Sequence, residues 1–206
     1  MQDNRRPVTS RSQRWAMNLA TYLINQGISP NQISVASIGF AAAAAASLLT
    51  STGALASLVA IVFIQLRLVC NLLDGMVAIE GGKHSALGSL YNEFPDRIAD
   101  SLLIVTLGYA VAEPSLGWFA ALAAALTAYV RVFGGSLGLK QTFAGPMAKQ
   151  HRMAVMTAGL ALNIPEFLLF STHHGLFAAL IIIAAGSVVT CITRTRTVAG
   201  QLKEAT

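Results

Sequence analysis

The chain has 206 residues, 54% of them hydrophobic and only 11% charged, and carries a formal net charge of +5; its mean hydropathy is +0.60. Soluble domains carry about a quarter charged residues, so these figures exclude an ordinary soluble protein, and the length suits one domain rather than two. Two cysteines, Cys70 and Cys191, both sit in apolar runs, which excludes a disulfide framework or a Cys-rich metal centre; runs this long also argue against a nucleic-acid partner.

In chain order, the first element is a basic amphipathic segment. Trp15, Leu19, Tyr22 and Leu23 recur at helical spacing with Arg11, Arg14, Asn18 and Asn25 between them, the pattern of a helix lying in a membrane interface. Ser29-Pro30-Asn31 then restarts the chain, with Ser29 as cap and Pro30 at the first helical position. Six apolar runs follow, at 32–52, 56–79, 87–112, 115–138, 153–171 and 175–194. Each is long enough to cross ~30 Å of hydrocarbon as a helix. Polar or Gly/Pro punctuation separates them, and Asn163 and Pro165 interrupt the fifth, where a kinked or short helix is expected. The expected fold is therefore all-α and integral to the membrane: six transmembrane helices behind an N-terminal interfacial helix. It divides into a juxtamembrane segment 1–30, a membrane domain 31–197 and a tail 198–206.

Basic residues set the orientation. Arg5, Arg6, Arg11, Arg14, Lys83, Lys140, Lys149, Arg152, Arg194, Arg196 and Lys203 all fall on one side, and the opposite turns hold no Lys or Arg. That asymmetry places both termini in the cytoplasm, with a bacterial inner membrane as the expected location. The first apolar run starts too late for a cleaved signal peptide.

Five of the nine acidic residues lie between positions 74 and 100: Asp74, Glu80, Glu93, Asp96 and Asp100. Carboxylates at membrane depth are costly and mark a functional site by default. Asn71 and Asp74 are three apart, and Asn92, Asp96 and Asp100 are four apart, so each set shares a helix face. A short Gly-rich turn at 80–85 is expected to make the second and third spans antiparallel neighbours, with these side chains facing each other. Gathered acids repel unless a cation holds them, and Mg²⁺, with its hard oxygen ligands and its habit of sharing substrate phosphates, fits (Mn²⁺ being the other candidate). The competing readings are a packing network with Arg67 and Arg97, or an ion pathway. Gly75 and Gly88 would permit close approach of a ligand, or serve only in helix packing.

These residues carry a resemblance. Asn71-Leu-Leu-Asp74-Gly75-Met-Val-Ala78, followed by Gly88, Asn92 and Asp96, resembles the signature D-x-x-D-G-x-x-A-R…G-x-x-x-D-x-x-x-D of the CDP-alcohol phosphotransferases. Three positions depart from it: Asn71 and Asn92 replace aspartates, and Ile79 replaces the arginine. An Asn carbonyl oxygen can still ligate a hard cation, but two formal charges are gone, and Glu93 or Asp100 could compensate.

The resemblance implies metal-dependent transfer of a phosphatidyl-type group from a CDP-linked lipid such as CDP-diacylglycerol to an alcohol, releasing CMP, in phospholipid biosynthesis. It implies Asp74, Asn71 and Asn92 as metal ligands, and Asp96 as catalytic base and further ligand. Gly75, Ala78 and Gly88 would lie against the nucleotide and diphosphate, and Asp100 would orient neighbours or pair with Arg97. Lys149 and Arg152, with Arg131, are candidates for binding the phosphate of a phosphorylated acceptor; anchoring and anionic-lipid contact are the alternatives, and Arg131 fits packing or ion pairing. Further partners are membrane lipids and a second copy of the chain in a homodimer, for which Gly134, Gly138, Ala121, Ala125 and Ala128 offer a small-residue face. An ion-coupled transporter and a catalytically impaired relative are the competing functions.

Overall fold

The computed structural model describes residues 13–82 and 87–204, and every regular element in them is a helix. There are seven: α1 (Arg14–Asn25), α2 (Pro30–Thr50), α3 (Ala54–Glu80), α4 (Gly88–Ala110), α5 (Pro114–Ser136), α6 (Lys149–Phe170) and α7 (His174–Glu204). The predicted basic residues Arg5, Arg6, Arg11 and Lys83 lie outside the described residues. Five helices, α2, α3, α5, α6 and α7, are long and apolar enough to cross a membrane, which makes the chain an integral membrane protein. α4 is long enough too, but its acids and Arg97 interrupt the apolar run.

Local chemistry explains the boundaries. Ser29 and Gln32 form the two reciprocal bonds of a capping box at the start of α2, with Pro30 at its first position. α1 lies on α3 through the buried Ala16 and Ala20, with Leu19 and Leu23 packed beside them, while Trp15 and Tyr22 face outward. The α4–α5 corner is closed by two glycines: a Cβ on Gly108 would stand 2.6 Å from the Gly117 Cα. Pro165 lies inside α6 without ending it.

Two expectations need correction. α3 and α4 are not packed side by side; α2 runs between them and packs on both. Its small residues Ser34, Ser37, Ala41, Ala44 and Ala45 are buried and let both neighbours approach closely. The last helix does not stop at 194 but runs on through Glu204, so the segment predicted as a tail begins as helix. Arg194, which ought to end an apolar run, is buried there because its guanidinium donates to the carbonyls of Thr127 (2.7 Å) and Ala144 (3.0 Å). Of the small-residue face, Gly134 lies against Val198 of α7, while Gly138 falls beyond the end of α5 and is exposed.

At the end of the bundle where α2 ends, a polar knot ties the helices together. The fully buried Asn163 donates to the Thr52 carbonyl (2.8 Å) and the Ser57 hydroxyl (2.9 Å), and its carbonyl oxygen meets His173 at 3.1 Å. Glu166 accepts from the His174 and Gly175 amides that open α7.

Candidate active site

The opposite end of the bundle holds the acids. α3 presents Arg67, Asn71, Asp74, Gly75 and Ala78 along one face, and α4 presents Asp96 and Asp100 one turn apart. The side chains bridge the gap that separates these two helices.

Deepest is Asp100. One carboxylate oxygen accepts from Arg67 at 2.7 Å and the other from Arg152 at 2.7 and 3.3 Å. All three side chains are buried, Arg67 completely. Arg152 also donates to the Met147 carbonyl (2.8 Å), which fixes the start of α6. The Nε and Nη1 of Arg67 are buried without a partner. Asp100 therefore pairs across the bundle with α3 and α6, and not with Arg97, which the spacing along α4 had put forward.

One turn up is Asp96, with 14% of its side chain exposed. It pairs with Lys149, the first residue of α6, and lies 3.9 Å from Arg67. Asn71 closes the triangle: with its carboxamide oriented to match its neighbours, Nδ2 donates to Asp96 at 3.0 Å and Oδ1 accepts from Lys149 at 2.9 Å. Asp74, three residues on, is buried and accepts from the Ser34 hydroxyl at 2.7 Å. It is near enough to feel the charges of both Asp96 and Lys149.

The rim is basic. Glu93 pairs with Arg131 and lies 3.9 Å from Arg97. Arg131 also donates to Gln141 at 2.7 Å and sits over the Phe143 ring. Arg97, Arg131 and Arg152 are all close enough for their charges to bear on Arg194. The segment 137–148 that carries Gln141 and Phe143 is pinned to α7: the Met147 amide donates to Thr190 at 2.8 Å, and Gly145, with φ +107°, lies so close to Thr190 that a Cβ would stand 2.6 Å away. That pinning sets the position of Lys149.

The structure thus joins Asn71, Asp96, Lys149, Asp100 and Arg152 in one network, and Glu93, Arg97 and Arg131 in a second beside it. Gly75, Ala78 and Gly88 are half-buried, and Asn92 is exposed. Among the described residues no three acidic, His or Cys side chains converge as a metal cage. The oxygen donors gathered here are nevertheless hard, the Asp74 and Asp96 carboxylates, the Asn71 carboxamide and the Ser34 hydroxyl, short of a full shell, so a divalent cation here would draw other ligands from substrate or water. Sequence reasoning missed Ser34 and gave Arg67 only a packing role, although Arg67, Asn71 and Asp74 share the spacing of one helix face.

Buried acid–base pairs gathered at one end of a helical membrane bundle mark a polar site in an otherwise apolar membrane protein. A 31% identity over 193 residues, covering 92% of this chain and 93% of the relative, links it to the archaetidylinositol phosphate synthase of Aeropyrum pernix. The chain belongs to the CDP-alcohol phosphotransferase family. It is a transferase of phospholipid biosynthesis, which sets aside the transporter reading. No protein-family model matches it. Two crystal structures of the phosphatidylinositol phosphate synthase of Mycobacterium tuberculosis share the fold. The one with CDP-DAG bound gives a TM-score of 0.74 at 20% identity over 90% of this chain and 94% of that one. The one in complex with manganese and citrate gives 0.73 at 19% identity over 89% and 88%.

Proposed function

We propose that the chain transfers the phosphatidyl group of a CDP-linked lipid to a phosphorylated polyol, an inositol phosphate, and releases CMP. The observation that carries this reading is the rim, where two guanidinium groups, Arg97 and Arg131, stand beside one acid, Glu93, among the described residues. Such an excess of guanidinium suits a phosphate monoester and has no use for a neutral alcohol. The names of the relative and of the two structural neighbours point to the same acceptor class.

The residues then divide the work. The Asp74 carboxylate and the Asn92 carboxamide would hold a divalent cation, Mg²⁺ or Mn²⁺, with the Asn71 carboxamide beside them. When bound, that ion withdraws charge from the donor's diphosphate and stabilises the departing CMP. Gly75, Ala78 and Gly88 leave room for the nucleotide beside the helix backbones. Asp96 takes the proton from the acceptor hydroxyl as that oxygen attacks the phosphorus of the phosphatidyl group, and the bond to CMP breaks. Arg131 and Arg97 form the anionic acceptor's approach, Arg152 holds Asp100 beneath it, and the lipid chains stay in the bilayer.

In this reading α4 is a sixth span, the membrane domain covers 31–197, and the site opens to the cytoplasm of a bacterial cell, where both termini lie. Homodimer formation rests on the family resemblance.

The test is CMP release from CDP-diacylglycerol with Mg²⁺ or Mn²⁺, across inositol phosphate, inositol, glycerol phosphate, glycerol and serine. Inositol phosphate is expected to support turnover, and Asp96→Asn to abolish it without loss of fold. Turnover with unphosphorylated alcohols alone, or a full-rate Asp96→Asn enzyme, overturns the assignment.

A further inference from the structure

We propose that Lys149 is the resident cation of the Asp96 position. Its ammonium occupies the place where a divalent ion would sit against that carboxylate, so the site takes one divalent cation, on the Asp74 side. The inference rests on the metal-dependent reading above.

Three observations carry it. First, the triangle of Asp96, Asn71 and Lys149 is closed. The ammonium pairs with the carboxylate, and the carboxamide donates to Asp96 at 3.0 Å and accepts from Lys149 at 2.9 Å. This geometry needs an asparagine, because an ionised carboxylate at position 71 would have no donor for Asp96. The departure at Asn71 and the placement of Lys149 thus account for each other.

Second, Lys149 cannot easily withdraw. The turn into α6 is held by the Met147 amide on Thr190 and by Arg152, which spans the Met147 carbonyl and Asp100. Only 20% of the Lys149 side chain is exposed.

Third, the cations are already assigned: Arg67 and Arg152 both pair with Asp100, and Lys149 pairs with Asp96. A divalent ion on Asp96 would lie ~2 Å from its oxygens, within a few ångströms of a fixed ammonium, and would need Lys149 to leave. Among the described residues no ion pair joins Asp74 to a cation; the neutral Ser34 hydroxyl donates to it at 2.7 Å. The arrangement leaves Asp96 free of metal, facing the acceptor hydroxyl as a base.

The experiment counts Mn²⁺ bound to the purified full-length chain in detergent by electron paramagnetic resonance. Wild type is expected to bind one Mn²⁺ per chain, Lys149→Arg one, and Lys149→Met two. Equal, non-zero binding by wild type and Lys149→Met overturns the inference alone, as does wild type binding two. No Mn²⁺ on any variant overturns the metal reading and this inference with it. If Lys149→Met does not fold, wild type decides: acylation of Lys149 by a small amine reagent, followed by mass spectrometry, is expected to keep the same rate with and without Mn²⁺. A tenfold acceleration by Mn²⁺ would mean that the metal expels the ammonium, and the inference falls.

Discussion

Removing the charge of Asp100 while keeping its shape, as in Asp100→Asn, is expected to be the most damaging polar substitution in the bundle. The carboxylate sits between two guanidinium groups at 2.7 Å each, with Asp100 only 3% exposed, Arg67 0% and Arg152 1%. Each such pair interacts by about 4 kcal/mol at an effective dielectric constant near 20. Most of that offsets the cost of burying the ions, and the intact network adds little net stability. The variant is different, because it keeps two buried cations and deletes what neutralises them; such losses run about 3–5 kcal/mol. For a chain of this length that is roughly 6–20 °C in unfolding temperature, at about 2–4 °C per kcal/mol. Cys70 is 9% exposed in the folded chain, so its labelling by a thiol-reactive fluorophore during heating in detergent reports unfolding. An Asp100→Asn variant that melts within about 2 °C of wild type would refute the claim that this carboxylate holds α3, α4 and α6 together.

Two further outcomes follow from packing and from the surroundings of Asp74. Ser34→Ala removes the hydroxyl that orients the Asp74 carboxylate. Mn²⁺ affinity is expected to fall about 10–100-fold, the usual effect of losing a group behind a metal ligand, and unchanged affinity in a titration would refute the role. Gly108→Ala forces a Cβ to 2.6 Å from the Gly117 backbone and is expected to cost about 1–3 kcal/mol. Gly39→Ala, with nothing within 4 Å, is expected to be neutral or stabilising in the same melt, and equal effects of the two would refute the close-contact argument.

Helix positions were legible because turn residues punctuate the apolar runs. The capping residues Ser29 and Pro30 and the break at Glu113-Pro114 fall where α2 and α5 begin. The order of packing was not legible. α2 separates α3 from α4 with a run of small residues that has little polar–apolar periodicity, so nothing in its sequence says which neighbours it serves. The acids announced a site, since carboxylates at membrane depth are costly and rare, yet their partners were hidden by distance along the chain. Asp100 finds Arg67 across 33 residues and Arg152 across 52, whereas spacing along α4 pointed to Arg97. Lys149 was hidden differently. A lysine at the start of a membrane helix looks the same whether it anchors topology or enters the site, and only the pinned 137–148 segment decides.

The acids of α4 form a graded series, and its outermost member gives the sharpest sign. Asp100 is buried between two arginines, Asp96 holds Lys149 at the mouth, and Glu93 pairs with Arg131 at the rim with 34% of its side chain exposed. An ion pair this exposed contributes about 0–1 kcal/mol, so Glu93→Gln is expected to leave the melting temperature nearly unchanged. Its effect belongs to binding. Glu93 occupies the guanidinium that a phosphorylated acceptor would use, and it also sets a negative charge beside Arg97. Neutralising it removes a competitor and a repulsive charge together. The acceptor KM is therefore expected to fall while kcat holds, because no group that touches the reacting atoms has changed. Steady-state CMP release with varied acceptor separates the possibilities. A raised KM would mean that Glu93 positions Arg131 rather than competing for it, and an unchanged KM would take the rim arginines out of acceptor recognition.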